Sequence, residues 1–148
     1  MKYITSVGAQ QSYDDAITLA VKNNTGTTIA PYSALLIDTT NYNVGSAICA
    51  VTISATTAST LVLGVLNGTT LAITGNYMVG EAVIKGFTKV LKYAETWAVG
   101  DRIVTDGHTA GLAAKTTTPS GYAVRSVFGV CTVVQAATTD TYGYIYMP

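Results

Sequence analysis

The chain has 148 residues, of which 49% are hydrophobic and only 11% are charged, with eight basic residues balancing eight acidic ones. This length suits one domain, but the charged share lies far below the usual value of about 25%. The basic residues form no stripe that could neutralise phosphates, so a nucleic-acid partner is not expected. No apolar run reaches the roughly 18 residues of a membrane span, and the start, MKYITSVGAQ, lacks the apolar centre that is typical of a signal peptide. The composition therefore predicts a protein with no membrane partner, whose weakly charged surface is partly covered.

Residues 1–15 show no sustained hydrophobic period and are predicted to form an N-terminal arm. Tyr3, Ile4 and Tyr13 are its candidate contact residues. From residue 16 the pattern changes, because ITLAVK places Ile17, Leu19 and Val21 on one face, which is typical of a half-buried strand. The predicted organisation is thus an arm, 1–15, followed by a β-barrel domain, 16–148.

The rest of the domain repeats short β-branched or aromatic runs separated by Gly, Asn, Asp or Pro. Further strands are predicted at 34–38, 46–53, 60–66, 77–86, 87–91, 102–105, 111–116, 123–135 and 142–147. Threonine, roughly one residue in six, suits strands and supplies uncharged polar surface. The expected fold is all-β, a single small β-barrel or β-sandwich of about ten short antiparallel strands. Because unpaired strand edges invite further pairing, barrel closure and a stable homo-oligomer are both expected.

The stretch AVGDRIVTDGHTAGLAAK contains the only histidine of the chain, His108, close to Asp101 and Asp106. A carboxylate beside an imidazole can orient a general base, but no nucleophile motif accompanies it. Zinc needs three or four ligands, and Cys49 and Cys131 lie far apart in strand-like runs typical of buried thiols. Asp-Gly is instead a strong hairpin signal. We therefore predict a hairpin with His108 at its tip, no enzyme activity, and no catalytic, cofactor-binding or metal-binding residue.

Tyrosine is the one excess that suggests a functional surface. In YGYIYM, Tyr142, Tyr144 and Tyr146 alternate with Gly143, Ile145 and Met147, so the three rings share one face of a strand. This face could pack under a neighbouring strand as part of a barrel wall. It could also form a protein interface, because tyrosine offers a large, rigid contact area with a polar tip, or a platform for carbohydrate.

The order of these motifs resembles small β-barrel modules of tailed-bacteriophage virion proteins, most closely capsid decoration (head cement) proteins. The matching segments are VKNNTG, LGV, VGEAVIKG, VGDRIV and GYIY, at 21–26, 63–65, 79–86, 99–104 and 143–146. Related modules occur in tail and baseplate proteins. The last segment departs from the pattern, because Tyr146 stands where an aliphatic residue is usual.

The resemblance implies a structural virion protein that binds the outer surface of a phage head and stabilises the shell by bridging major capsid proteins. It implies a homotrimer, made in the cytoplasm of the bacterial host and located on the capsid exterior, with no cofactor. The alternative is a tail, fibre or baseplate module that recognises a host surface glycan through exposed aromatic residues. If the chain is a capsid decoration protein, its candidate interface residues are Tyr3, Ile4, Tyr13, Tyr142, Tyr144 and Tyr146.

Overall fold

A computed structural model describes residues 16–40, 48–73, 75–116 and 126–148, and in these residues the fold is all-β, as predicted. The described residues form nine strands and one 3₁₀ turn. In chain order they are β1 (Ile17–Asn23), β2 (Ala34–Ile37), β3 (Cys49–Thr52), β4 (Val62–Leu66), the 3₁₀ turn (Gly75–Met78), β5 (Val79–Leu91), β6 (Arg102–Thr105), β7 (Ala113–Lys115), β8 (Gly129–Cys131) and β9 (Tyr142–Met147). The predicted arm, 1–15, lies outside the described residues.

Five strands close into a barrel in the order β1-β3-β2-β4-β5, with β5 pairing back onto β1. All neighbours are antiparallel except β1 and β3, which run parallel. The parallel pair departs from the expected all-antiparallel arrangement. Closure gives every barrel strand a paired neighbour on both sides, which removes the exposed edges that a weakly charged β-protein must avoid.

The second half of β5 leaves this barrel and begins another sheet, in the order β5-β9-β8-β6-β7. All its ladders are antiparallel. A bridge between Lys92 and Ala113, with the Tyr93 amide donating to the Ala113 carbonyl over 2.8 Å, connects β7 back to the end of β5. The second sheet is therefore also curled almost into a ring.

Two hydrophobic cores share the wall made by β2, β4 and β5. Neighbouring residues on each strand point to opposite sides, which is the period of a β-strand. The first core fills the closed barrel and comprises Val21, Ile29, Leu35, Val51, Leu66, Leu71 and Ala82. The second core lies between the barrel and the second sheet and comprises Ala34, Val65, Val83, Val90, Trp97, Ile103, Ala113, Cys131, Ile145 and Met147. Burial on both faces explains why β2 (ALLI) and β4 (VLGVL) have continuous apolar sequences.

One irregularity in β5 allows this strand to serve both sheets. Val83 and Val90 both face the second core, although residues seven apart on a regular strand face opposite sides. The β1–β5 register shifts so that Ile17 pairs with Lys85 while Thr18 pairs with Val83, which leaves Ile84 as the extra residue of a β-bulge. Gly86 follows the bulge with a φ of +104°, a value that favours glycine.

Most predicted strands are confirmed, with three differences. The runs 77–86 and 87–91 form one strand, β5, because the bulge bends the chain without ending the ladder. Only Gly129–Cys131 of the predicted 123–135 is a strand, and residues 123–125 lie outside the described part. In β1, Val21 is buried but Ile17 is exposed, since the register shift falls between Ile17 and Thr18. In the described part of the chain, no helix is long and apolar enough to cross a membrane.

Candidate interaction surface

The predicted alternation along β9 is confirmed. Gly143, Ile145 and Met147 point into the second core, whereas Tyr144 and Tyr146 are 44% and 37% exposed and Tyr142 is half-buried. The tyrosines therefore lie on the outward side of the second sheet rather than under a neighbouring strand. Their role as an interface stays a prediction.

The register extends this outward side across four strands. Phe87 of β5 pairs with Tyr146, Tyr146 with Val130 of β8, and Val130 with Arg102 of β6. Directly paired residues share one face of a sheet. Phe87 is 43% exposed and its ring centroid lies 4.9 Å from that of Tyr146. Aromatic and basic side chains thus form one continuous surface.

A lysine organises the other end of this surface. The Lys89 ammonium lies 4.4 Å from the ring centroid of Tyr32 and 4.5 Å from that of Tyr142. The two rings meet edge to face with centroids 5.5 Å apart. Such cation–π contacts hold the lysine against the sheet while leaving its charge in place. We call the outward surface formed by Phe87, Lys89, Arg102, Val130, Tyr142, Tyr144 and Tyr146 the aromatic face.

The core side of β9 fixes the orientation of this face. Trp97 is almost completely buried, and its indole Nε1 donates to the Glu95 carboxylate over 2.9 Å. A Cβ atom placed on Gly143 would lie 2.0 Å from the Trp97 ring, so only glycine allows the indole to lie against β9. The tyrosines thus project from a strand whose other side is closely packed.

Sequence reasoning located only part of the aromatic face. It identified Tyr142, Tyr144 and Tyr146, whereas Tyr3, Ile4 and Tyr13 lie outside the described residues. It missed Phe87, Lys89 and Arg102. The alternation in FTKVL places Phe87 and Lys89 on one side of a strand, but only the β5–β9 and β6–β8 registers show that this side continues the tyrosine face.

The hairpin predicted around His108 is confirmed, since β6 and β7 pair antiparallel with Thr105 opposite Ala113. The Asp106 carboxylate is buried in the connecting loop, where it accepts hydrogen bonds from the amides of His108 (3.0 Å) and Thr109 (2.7 Å). Burial raises the pKa of Asp106, but its hydrogen bonds with the His108 ring and the two amides outweigh burial, and the pKa lies below its ordinary value. Asp106 therefore acts as the internal support of the loop.

His108 lies at the exposed tip of this hairpin, with its side chain 72% accessible. Its Nδ1 lies 3.0 Å from Asp106, and its ring stacks on Tyr93 with centroids 5.0 Å apart. Within the described residues no three His, Cys, Asp or Glu side chains come together as a metal-binding group. The two cysteines are unpaired thiols; Cys131 is buried as expected, and Cys49 is only partly buried.

A buried lysine lies beside Trp97. The Lys92 ammonium donates to the carbonyl oxygens of Tyr93 and Glu95, and burial lowers its pKa despite the opposing charges of Asp140 and Glu95. The Glu95 carboxylate also accepts the Lys115 amide over 2.6 Å. Each of these groups has a local partner, so the cluster ties the chain after β5 to the end of β7.

No protein-family model and no curated protein sequence matches the chain. The structure is similar to that of the head fiber gp8.5 N base of bacteriophage phi29. The two chains are 15% identical, the similarity covers 90% of this chain and 94% of the other, and the TM-score is 0.49.

Proposed function

We propose that the chain is a structural virion protein of a tailed bacteriophage, a capsid decoration protein that binds the outer surface of the head through its aromatic face. The observation that carries the proposal is the exposure of Phe87, Tyr144 and Tyr146 on one continuous sheet surface. Contiguous exposed aromatic residues mark interaction sites, and tyrosine and arginine are enriched at protein interfaces. The sequence resemblance to head cement proteins supports the major capsid protein as the partner.

In this role the protein acts by linkage. A ligand that binds only the assembled shell stabilises that shell by its binding free energy. A homotrimer would present three copies of the aromatic face, so that modest contacts combine through their high effective concentration. The protein would be made in the bacterial cytoplasm and would end on the capsid exterior.

Cosedimentation with capsid shells assembled without this chain tests the proposal. The test variant is Tyr144→Ala/Tyr146→Ala, and the control is Ile37→Ala/Leu61→Ala, which removes two exposed apolar side chains from neighbouring barrel positions. Truncating two central aromatic contacts should weaken binding by about 30-fold or more, while the control should bind like the wild type. Failure of the wild type to bind shells, or equal losses in both variants, would refute the proposal.

A tail, fibre or baseplate module that recognises a host glycan is the second candidate, since the same exposed tyrosine rings can stack on sugars. Labelling of intact virions separates the two. Label on the head together with no binding on a glycan array supports decoration, whereas label on the tail together with sugar binding supports recognition of a host glycan.

A further inference from the structure

The aromatic face carries charge of one sign. Two of its seven residues, Lys89 and Arg102, are cations, and none is a carboxylate. The nearest acidic residue in sequence, Asp101, turns its carboxylate to the Ala98 amide, which donates to it over 2.8 Å. Neither cation forms an ion pair with a carboxylate of the described residues. In a chain with zero net charge, this surface is therefore locally positive.

The two cations lie at opposite sides of the exposed aromatic rings. Arg102 ends the row that runs through Phe87, Tyr146 and Val130, and Lys89 lies beside Tyr144 in the next row of the β5–β9 ladder. A partner that covers the aromatic rings must also contact the charged groups of Lys89 and Arg102. A cation that is buried and unpaired at an interface weakens binding, so such a partner needs carboxylates at matching positions.

We propose that the aromatic face binds an acidic protein surface, with partner carboxylates pairing with Lys89 and Arg102 around a central contact made by Phe87, Tyr144 and Tyr146. The proposal names the chemistry of the partner in the proposed function and rests on that function for its biological role. Electrostatic complementarity of this kind sets orientation and association rate more than total affinity.

The composition of the face favours a protein over an acidic polysaccharide. Sugar sites are concave and supply several placed polar groups that orient the hydroxyls. The aromatic face lies on the outward side of a sheet, and its seven residues include no Asn, Gln, Asp or Glu. Exposed aromatic rings flanked by arginine match the centre of a protein interface.

The test measures binding of the full chain to an immobilised random copolymer of glutamate and tyrosine at low and high salt. The test variant is Lys89→Gln/Arg102→Gln. The matched control is Lys22→Gln/Lys115→Gln, which also removes two positive charges, but from β1 and β7. A third variant, Lys89→Arg/Arg102→Lys, keeps both positive charges and should restore the binding that the test variant loses; we call it the rescue.

The wild type, the control and the rescue should bind the copolymer similarly, and the test variant should bind about tenfold more weakly. Raising the salt concentration to about 1 M, where the screening length is about 3 Å, should remove this difference. Thermal unfolding of all four proteins checks that they are folded.

Equal losses in the test and control variants would overturn the proposal, because binding would then follow total charge. Salt-independent binding, or no binding, would also overturn it. Tighter, face-dependent binding to an immobilised polyuronate would show a glycan site instead. Since this experiment contains no virion, it can fail while the shell-binding experiment succeeds, and the reverse also holds.

Discussion

The closed barrel and the second sheet solve the same packing problem with different residues. Among the described residues, the first core contains seven aliphatic side chains and no aromatic ring. The second core is built around Trp97 and needs Gly143 to make room for it. Both cores are bordered by buried polar groups, such as Asn23, which donates to the Leu71 carbonyl, and Lys92 beside Trp97. The barrel thus provides regular support, while the second sheet contains the specialised contacts that fix the aromatic face.

The largest loss of stability is expected in the first core, and it shows whether the two cores unfold together. Leu35 is completely buried in the first core and lies next to Ala34, which faces the second. Leu35→Ala should lower the free energy of unfolding by about 2–5 kcal/mol because it leaves a cavity. Trp97 is the only tryptophan and belongs to the second core, so its fluorescence follows the unfolding of that core. The midpoint of unfolding measured by Trp97 fluorescence should fall as far as the midpoint measured by far-UV circular dichroism.

Coincident transitions are expected because β2, β4 and β5 contribute to both cores. A variant in which the exposed Val134 is truncated to Ala should leave both midpoints unchanged and serves as the control. If Leu35→Ala shifted the dichroism transition but not the Trp97 fluorescence, the two cores would be independent folding units.

The next effect concerns the feature that distinguishes the second core. Gly143→Ala places a methyl group within 2.0 Å of the Trp97 ring, and such overpacking should lower the free energy of unfolding by about 1–3 kcal/mol. Combining it with Trp97→Leu relieves the collision, so the double variant should be more stable than the sum of the two single losses implies. Urea denaturation of all four proteins measures the coupling, and strict additivity would contradict the proposed contact.

Sequence alone predicts the local features of both regions better than it predicts contacts between distant segments. The alternation of YGYIYM predicted both sides of β9, and Asp-Gly predicted the β6–β7 hairpin, because each signal depends on residues close in the chain. The parallel β1–β3 pair depends on contacts between distant segments, and no local pattern encodes it. The same holds for the Trp97–Gly143 contact and for the position of Arg102 beside the tyrosines.

The strand β5 shows a further reason for the misses. A glycine after a strand-like run usually indicates a turn, which is why 77–86 and 87–91 were predicted as two strands. In the structure Gly86 belongs to a bulged region, and the strand continues because β9 pairs with its second half. Whether such a glycine ends a strand or bends it is decided by the partner strand, which the local sequence does not specify.

A smaller effect is expected at the hairpin loop, where a buried charge replaces aliphatic packing. Asp106→Asn should lower the free energy of unfolding by about 1–2 kcal/mol at neutral pH, because hydrogen bonds to a charged acceptor are stronger. The folded-state pKa of Asp106 is depressed. Its contribution is therefore complete above the ordinary aspartate value of about 3.9 and is lost as the pH falls through the lower folded-state pKa.

Denaturant unfolding between neutral pH and about pH 2 measures this contribution. The wild type should lose more stability than Asp106→Asn over the acid range, so the two curves should converge as the pH falls. Val134→Ala, which removes no charge and lies outside this loop, should remain parallel to the wild type. A constant difference between wild type and Asp106→Asn at every pH would mean that the charge of Asp106 contributes nothing.

The smallest effect on stability is expected at the aromatic face, where the largest effect on binding is proposed. Tyr144 is exposed and lies opposite Lys89 in the β5–β9 ladder. Its carbonyl accepts a hydrogen bond from the Thr132 amide over 2.9 Å, and truncation of the side chain leaves that bond in place. Tyr144→Ala should therefore change the free energy of unfolding by less than about 1 kcal/mol. Thermal unfolding of the isolated protein measures this change, with Ile145→Ala on the core side of the same strand as the contrasting variant. A stability loss at Tyr144 as large as that at Ile145 would show that the ring belongs to the packed structure. A negligible loss means that the fold does not need this exposed ring, so the free energy it can contribute remains for binding a partner.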